Sequence, residues 1–291
     1  MSTLSAPTHH PENTLSEATI QAFRDTLEGE VLDPGDDGYD TARRVWNGMI
    51  DRRPSLIARC AGEDDVVASV RFAREHDLPL SVRGGGHNVA GTAVREGGLV
   101  VDLSPMRAIR VDPGARRVHA QAGVTIGELD RATQAYGLAA PMGVVTETGI
   151  AGLTLGGGLG WLRRKHGLSC DALRSVDLVT ADGRLVTASA TEHPDLFWAV
   201  RGGGGNFGVV TRFEYELYDV GPEVFFLAVF YPIAVARDVL RAMRAYMASA
   251  PEAFSPLGVL AHVPPLDVLP EAHHGEPCVL LVGPYAGDVE E

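Results

Sequence analysis

The residues best suited to chemistry lie in three glycine-rich runs in the middle of a 291-residue chain. The first is Ser81-Val82-Arg83-Gly84-Gly85-Gly86-His87-Asn88-Val89. A strand-like segment delivers three glycines whose N–H groups can turn inward together because no side chain intervenes, and such a nest of donors binds phosphate. Arg83 can add charge, while His87 and Asn88 sit where the loop exits. The second run starts at Gly143 and passes through Thr146-Glu147-Thr148-Gly149 to Gly152-Leu153 and then Gly156-Gly157-Gly158 and Gly160. Its six glycines from Gly149 onward are expected to leave one flat surface nearly free of side chains. A plain core segment would not give up that much packing and backbone entropy; a planar aromatic ligand lying against the backbone explains it. The third run, Arg201 to Val209, spells G-x-G-x-x-G at Gly203, Gly205 and Gly208. That fingerprint needs a strand before it and a helix after it. Here a short helical pattern precedes and a strand pattern follows, so the dinucleotide reading is rejected, and an NAD-dependent dehydrogenase with it.

Other constellations are weak. The pairs His9-His10 and His273-His274 are adjacent, which on a strand points the rings apart, and they read as surface residues. No G-x-S-x-G elbow is present for a serine hydrolase. Cys60, Cys170 and Cys278 lie far apart without a C-x-x-C spacing, so neither a disulfide framework nor a structural zinc site is indicated. Reduced, partly buried thiols in a cytoplasm are the expectation.

Taken together, SVRGGGHNVAGTAV, GVVTETGIAGLTLGGGLGWLRRKHGLSCDAL and RGGGGNFGVVT resemble the flavin domain of berberine bridge enzyme-like FAD-linked oxidases, in the vanillyl-alcohol oxidase superfamily. The likeness runs from about Trp46 to Leu217. It implies an α+β fold: a PCMH-type split FAD-binding domain followed by an antiparallel-sheet substrate domain, incomplete here. The implied division is 1–45 as an N-terminal extension, 46–218 as the FAD-binding domain and 219–291 as part of the substrate domain. By position, the resemblance makes the backbone of Arg83, Gly84, Gly85, Gly86, His87, Asn88 and Val89 the cradle of the FAD pyrophosphate. It makes His87 the covalent anchor to the flavin 8α-carbon. Thr146, Glu147, Thr148 and Gly149, with Gly152, Leu153, Gly156, Gly157, Gly158 and Gly160, would line the ring and ribityl chain, and Val209 would meet the far end. Many family members have a second anchor, a cysteine two residues after the glycine matching Gly143; here that residue is Val145, so a single bond is expected. The family also commonly has tyrosine where this chain has His166.

The implied activity is an oxidase: hydride passes from an alcohol carbon of a sugar or small natural product to flavin N5, and dioxygen reoxidises the flavin to give hydrogen peroxide. The family's catalytic base is expected beyond Glu291, so no base is named. The alternative is a catalytically incomplete flavin-binding fragment.

Periodicity indicates what must hold these loops. Helices are expected over 16–27, 63–76 and 125–136, the last opened by a Thr125/Glu128 capping box and stopped by Gly137. Strands are expected over 78–82, 99–103, 117–122 and 209–217, with a hairpin over 176–187 turning at Asp182-Gly183 and a short helix around 197–200. Beyond about Asp219 a second α+β unit reads as strands over 225–231, 257–263 and 278–285 with an amphipathic helix over 234–250.

Composition sets outer bounds. Net charge is −13, which argues against nucleic-acid or anionic-lipid partners. The acidic excess lies in the two ends, whereas the glycine-rich centre is neutral, as suits a segment meeting an anion. No apolar run approaches the ~18–20 residues that span a bilayer, and the first twenty residues lack a basic, apolar leader pattern.

Overall fold

The structure, a computed structural model, describes residues 15–287, so the His9-His10 pair lies outside the described residues. Helix α1 (Glu17–Arg24) is capped by the Ser16 hydroxyl, which accepts from the Thr19 amide at 3.1 Å. There follow β1 (Glu30–Leu32), α2 (Tyr39–Ala42), β2 (Leu56–Arg59), α3 (Glu63–Glu75), β3 (Leu80–Arg83) and β4 (Leu99–Asp102). The strands form one sheet in the order β1-β2-β4-β3, with β4 parallel to both β2 and β3. Parallel strands are covered on both faces, and Leu99, Val100 and Val101 are fully buried. On one side of the sheet Leu56, Ala58, Leu99 and Val101 meet Val66, Val70 and Ala73 of α3 in the main core. On the other side Ile57 and Val100 meet Leu32, Tyr39 and Val94. Burial of Leu32 and Tyr39 against this face holds β1 and α2 in place.

The chain continues through β5 (Ile109–Asp112), β6 (Arg117–Gln121), α4 (Ile126–Gln134), β7 (Leu138–Ala139), α5 (Ile150–Leu155) and α6 (Arg163–His166). Next come β8 (Leu173–Val179), β9 (Leu185–Ser189), α7 (Pro194–Val200), β10 (Val209–Glu216) and β11 (Tyr218–Asp219). A five-stranded antiparallel sheet has the order β5-β6-β10-β8-β9, and its central strand buries Phe213 and Tyr215 in the main core. The β8–β9 hairpin turns at Asp182-Gly183, where the Gly183 amide donates to Thr180 O at 2.8 Å. Glu128 closes the predicted capping box, accepting from the Thr125 amide at 2.8 Å. One expectation changes: residues 150–155, read as part of a flat side-chain-free surface, form the helix α5.

The last elements are β12 (Phe225–Pro232), α8 (Ala236–Met247), β13 (Leu257–His262) and β14 (Pro277–Tyr285). They make a three-stranded antiparallel sheet, β12-β14-β13, with α8 across one face. Helix α8 starts later than its amphipathic pattern because Ile233–Val235 form a 3₁₀ turn. The short helix α6 ties this unit to the rest. Arg163 donates to Pro256 O at 2.8 Å, Arg164 to the carbonyls of Ala250, Pro251 and Phe254, and Lys165 to Ala286 O at 2.6 Å. Among the described residues no helix is long and apolar enough to cross a membrane.

Candidate functional site

Strand β3 ends where its neighbour β4 still supports it, so the first glycine run leaves the sheet at a fixed point, with Arg83 O accepting from Leu103 N at 2.8 Å. From residue 84 to residue 90 no backbone amide donates to a protein acceptor among the described residues. Four of these, Gly84 to His87, lie in the half-buried part of the loop and are open to another acceptor, whereas residues 88–90 are exposed to solvent. The Arg83 side chain does not join them: its Nη1 donates to Ala42 O, and its Nε is buried without a partner. Its expected contribution of charge to the loop is thus directed at the peptide of Ala42 instead. Asn88 bonds within the loop, its Oδ1 accepting from Thr92 N at 3.3 Å, and Val89 is exposed.

The three runs converge through their backbones. A Cβ on Gly85 would stand 2.4 Å from Gly149 N, and one on Gly149 would stand 2.5 Å from Gly85 N. The first and second runs therefore cross at van der Waals contact, possible only for glycine at both positions. The third run is joined to the second where Gly204 N donates to Leu155 O at 2.8 Å. The second run is also laced to the start of α4: Gly127 N donates to Thr146 O and Ile126 N to Thr148 O, each at 2.9 Å. Thr146 and Glu147 remain exposed.

The glycines of the second run divide into two groups. Gly152 and Gly156 lie one helical turn apart on an exposed face; a Cβ on Gly152 meets nothing within 4 Å, and one on Gly156 meets only carbonyl oxygens of its own helix. They leave an open backbone surface. Gly158 and Gly160 are buried against protein instead, their would-be Cβ atoms 2.2 Å from Ser169 Oγ and 1.6 Å from Met142 O, and Gly157 is buried beside them. Leu153 turns away from the open face to pack on Gly143. The expected continuous bare surface thus shrinks to Gly152 and Gly156, and the remaining glycines serve close packing.

His87 is half-buried at the crossing of the first two runs, its Nδ1 3.3 Å from Thr148 Oγ1. The ring stacks on Trp46 with centroids 5.5 Å apart and planes 20° apart. Trp46 carried no signal in the sequence beyond being a tryptophan, yet its amide donates to Gly86 O at 3.0 Å and the adjacent Asn47 Nδ2 donates to Val89 O at 2.7 Å. In the third run Val209 is buried and lines a cavity of about 470 Å³ with Leu80, Val82, Gly205, Asn206 and Gly208.

Several neighbours are settled by their partners. The His166 ring stacks on Tyr218 at 4.1 Å with its Nε2 buried and unpartnered, and burial, helped by Lys165, lowers its pKa. Burial pushes the Cys170 thiol up, and Cys60 is pushed up to about 12, so neither is an activated thiolate. His273 and His274 bond to different partners, Glu276 Oε2 and Leu269 O, rather than to a shared point. α7 precedes and β10 follows the third run, the reverse of the order a dinucleotide fingerprint needs.

Residues 54–189 match the family described as FAD binding domain. The chain is 45% identical over 195 residues to (R)-6-hydroxynicotine oxidase of Paenarthrobacter nicotinovorans, covering 67% of this chain and 43% of that protein. Its fold is similar to that of BBE-like 1 of Physcomitrella patens, with TM-score 0.84, 27% identity and coverage of 94% of this chain and 57% of that one. It is also similar to the xylooligosaccharide oxidase of Myceliophthora thermophila C1 in complex with xylobiose, with TM-score 0.81, 28% identity and coverage of 94% and 56%. The chain therefore spans about half the length of the proteins it matches. The residues fit the FAD that this family's description implies: a row of uncommitted amides, an open helical glycine face, and a cavity lined by residues of the third run.

Proposed function

Since this chain belongs with the FAD-linked oxidoreductases of the berberine bridge enzyme-like type, we propose that it is an FAD-dependent oxidase acting on an alcohol carbon of a sugar or small natural product. The observation that carries the reading is the row of uncommitted amides after β3, held where the first run crosses the second at Gly85 and Gly149. We divide the chain into an N-terminal extension (1–45), an FAD-binding domain (46–218) and part of a substrate domain (219–291). In this reading the amides of Gly84 to Val89 bind the pyrophosphate, the open face at Gly152 and Gly156 takes the flat ring, and Val209 meets the far end. Thr146 to Gly149 hold the ring edge, fixed from behind by the start of α4. His87 anchors the group covalently, and Val145 offers no second bond. FAD held there would supply a hydride acceptor at N5 that dioxygen can reoxidise, with hydrogen peroxide as the product. The chain's own contribution is to hold and orient. Three buried, unpaired thiols suit a cytoplasmic setting.

The alternative reading is flavin binding without turnover. One preparation tests both. Protein purified with FAD and precipitated in acid should retain yellow colour, and oxygen consumption should follow on a panel of sugars and alcohols. Colour without turnover supports the second reading. Colourless protein that binds no added FAD refutes both.

A further inference from the structure

The sheet β12-β14-β13 has two faces, and the strand register decides which residues share each. Phe225, Leu227, Tyr231, Leu281 and Tyr285 stand on the side of α8, and a Cβ on Gly258 would meet Leu240 and Met243 of that helix. Side chains alternate along a strand, so the residues between them form the opposite face. There Ala228 pairs with Val282, and Leu280 lies between Phe230 and Val259. Phe226, Ala228 and Val259 are exposed. Along 226–232, 278–284 and 257–261 every position of this face is apolar, with no hydroxyl, amide or charged side chain among them. The face also adjoins the site. Phe226 meets Trp161 with ring centroids 5.6 Å apart and planes 89° apart. Trp161 closes the second run, two residues after the exposed Leu159 and five after the bare Gly156. An apolar surface thus continues from the open glycine face over Leu159 and Trp161 onto the sheet. The cations that follow in α6 add no polarity to it, because Arg163, Arg164 and Lys165 are committed to backbone carbonyls.

We infer that this face selects the substrate, and that the alcohol it admits is carried on an aromatic ring poor in other hydroxyl groups rather than on a sugar. The inference rests on the oxidase reading above and narrows its substrate class. A sugar can lay its C–H face on the Trp161 ring, but its remaining hydroxyls would leave water for a surface that offers them no partner, and each unpaired group weakens binding. An aromatic ring needs no such partner. It packs against the perpendicular rings of Trp161 and Phe226, where edge and face contacts are both on offer. Phe226 and Trp161 are therefore the specificity-determining pair, and Phe230 and Leu280 extend the surface for a larger ring system.

The test titrates the FAD-loaded chain with benzyl alcohol and with D-glucose, each a six-membered ring bearing a hydroxymethyl group. Perturbation of the flavin absorbance reports binding with or without turnover, and oxygen consumption is followed in parallel. Benzyl alcohol should bind about 100-fold more tightly, the discrimination an apolar site achieves against added hydroxyls. Phe226→Asn puts a hydrogen-bonding group on the exposed part of the face and should narrow that ratio about tenfold, whereas Phe226→Leu should keep it. Trp161→Ala should weaken benzyl alcohol about tenfold. FAD content, measured in every variant, separates loss of the flavin from loss of the apolar face. Glucose binding as tightly as benzyl alcohol, or neither binding to FAD-loaded protein, overturns this inference and leaves the FAD site intact. A ratio unchanged in both Phe226→Asn and Trp161→Ala also overturns it, since the selecting surface then lies elsewhere. So does a dimer in light scattering that Phe226→Asn dissociates, which would assign the face to a second copy of the chain. A chain that takes up no FAD refutes the proposed function itself.

Discussion

Gly85, Gly149 and Gly152 all belong to the glycine-rich runs, yet alanine at the first two and at the third should have opposite effects. A methyl at Gly85 stands 2.4 Å from Gly149 N, where ordinary contact begins at 3.4 Å, and both sides of the contact are backbone. The loops must part by about 1 Å, which places the cost in the overpacking range of ~1–3 kcal/mol. For a domain of roughly 150–250 residues each kcal/mol lowers the melting temperature by ~2–4 °C. Gly85→Ala, and likewise Gly149→Ala, should therefore melt roughly 5 °C lower, with or without FAD. Gly152 is different: it lies inside α5 with open space beyond it. Alanine there removes the glycine penalty of ~0.5–1 kcal/mol in a helix, so the FAD-free protein should melt ~1–4 °C higher. The same methyl stands on the face assigned to the flavin ring, so FAD affinity should fall. Differential scanning fluorimetry and FAD titration read both effects. Gly85→Ala melting within 1 °C of the parent would refute the crossing of the loops. Unimpaired FAD binding by Gly152→Ala, or by the bulkier Gly152→Val, would remove α5 from the flavin site.

The remaining predictions concern the anchor, one half-buried acid and the clamp between units. His87→Ala should release all of its flavin on denaturation, because Val145 has no thiol; flavin left on the denatured chain, read by absorbance at 450 nm (roughly the flavin band), would reveal a second anchor. Burial raises Asp130 to about 6 from 3.8, and no partner side chain offsets it. The folded state then holds the proton more tightly than the unfolded state, so stability is full below about pH 4 and is lost as pH rises to about 6, by on the order of 2–3 kcal/mol. Asp130→Asn should accordingly stabilise the protein at pH 7.5 and do little at pH 3.8, as urea titrations at both values will show; equal effects would mean that the carboxyl ionises freely. Arg164→Ala removes the donors to Ala250, Pro251 and Phe254. It should make the segment after Asp219 more susceptible to limited proteolysis than residues 46–218, and an unchanged cleavage pattern would show that the clamp is dispensable.

How much of this was legible beforehand depends on the range of the interaction involved. Local rules sufficed where the cause is local. The Thr125/Glu128 box, the Asp182-Gly183 turn, the acid-led helix α3, the strand that enters the first glycine run and the strand that leaves the third follow from spacing and turn chemistry, and they are where periodicity places them. The close approach of the loops was foreshadowed for a similar reason, since backbones can touch only where side chains are missing. Tertiary structure decided which glycine does what. Gly85 and Gly149 are far apart in sequence but touch, Gly158 and Gly160 pack on Ser169 and Met142, and only Gly152 and Gly156 stay bare. The short elements β1 and α2, the α6 clamp, the Trp46 stack and the Arg83 bond to Ala42 also depend on partners distant in the chain. No periodicity announces such contacts, because each is set by the distance between two backbones that folding brings together.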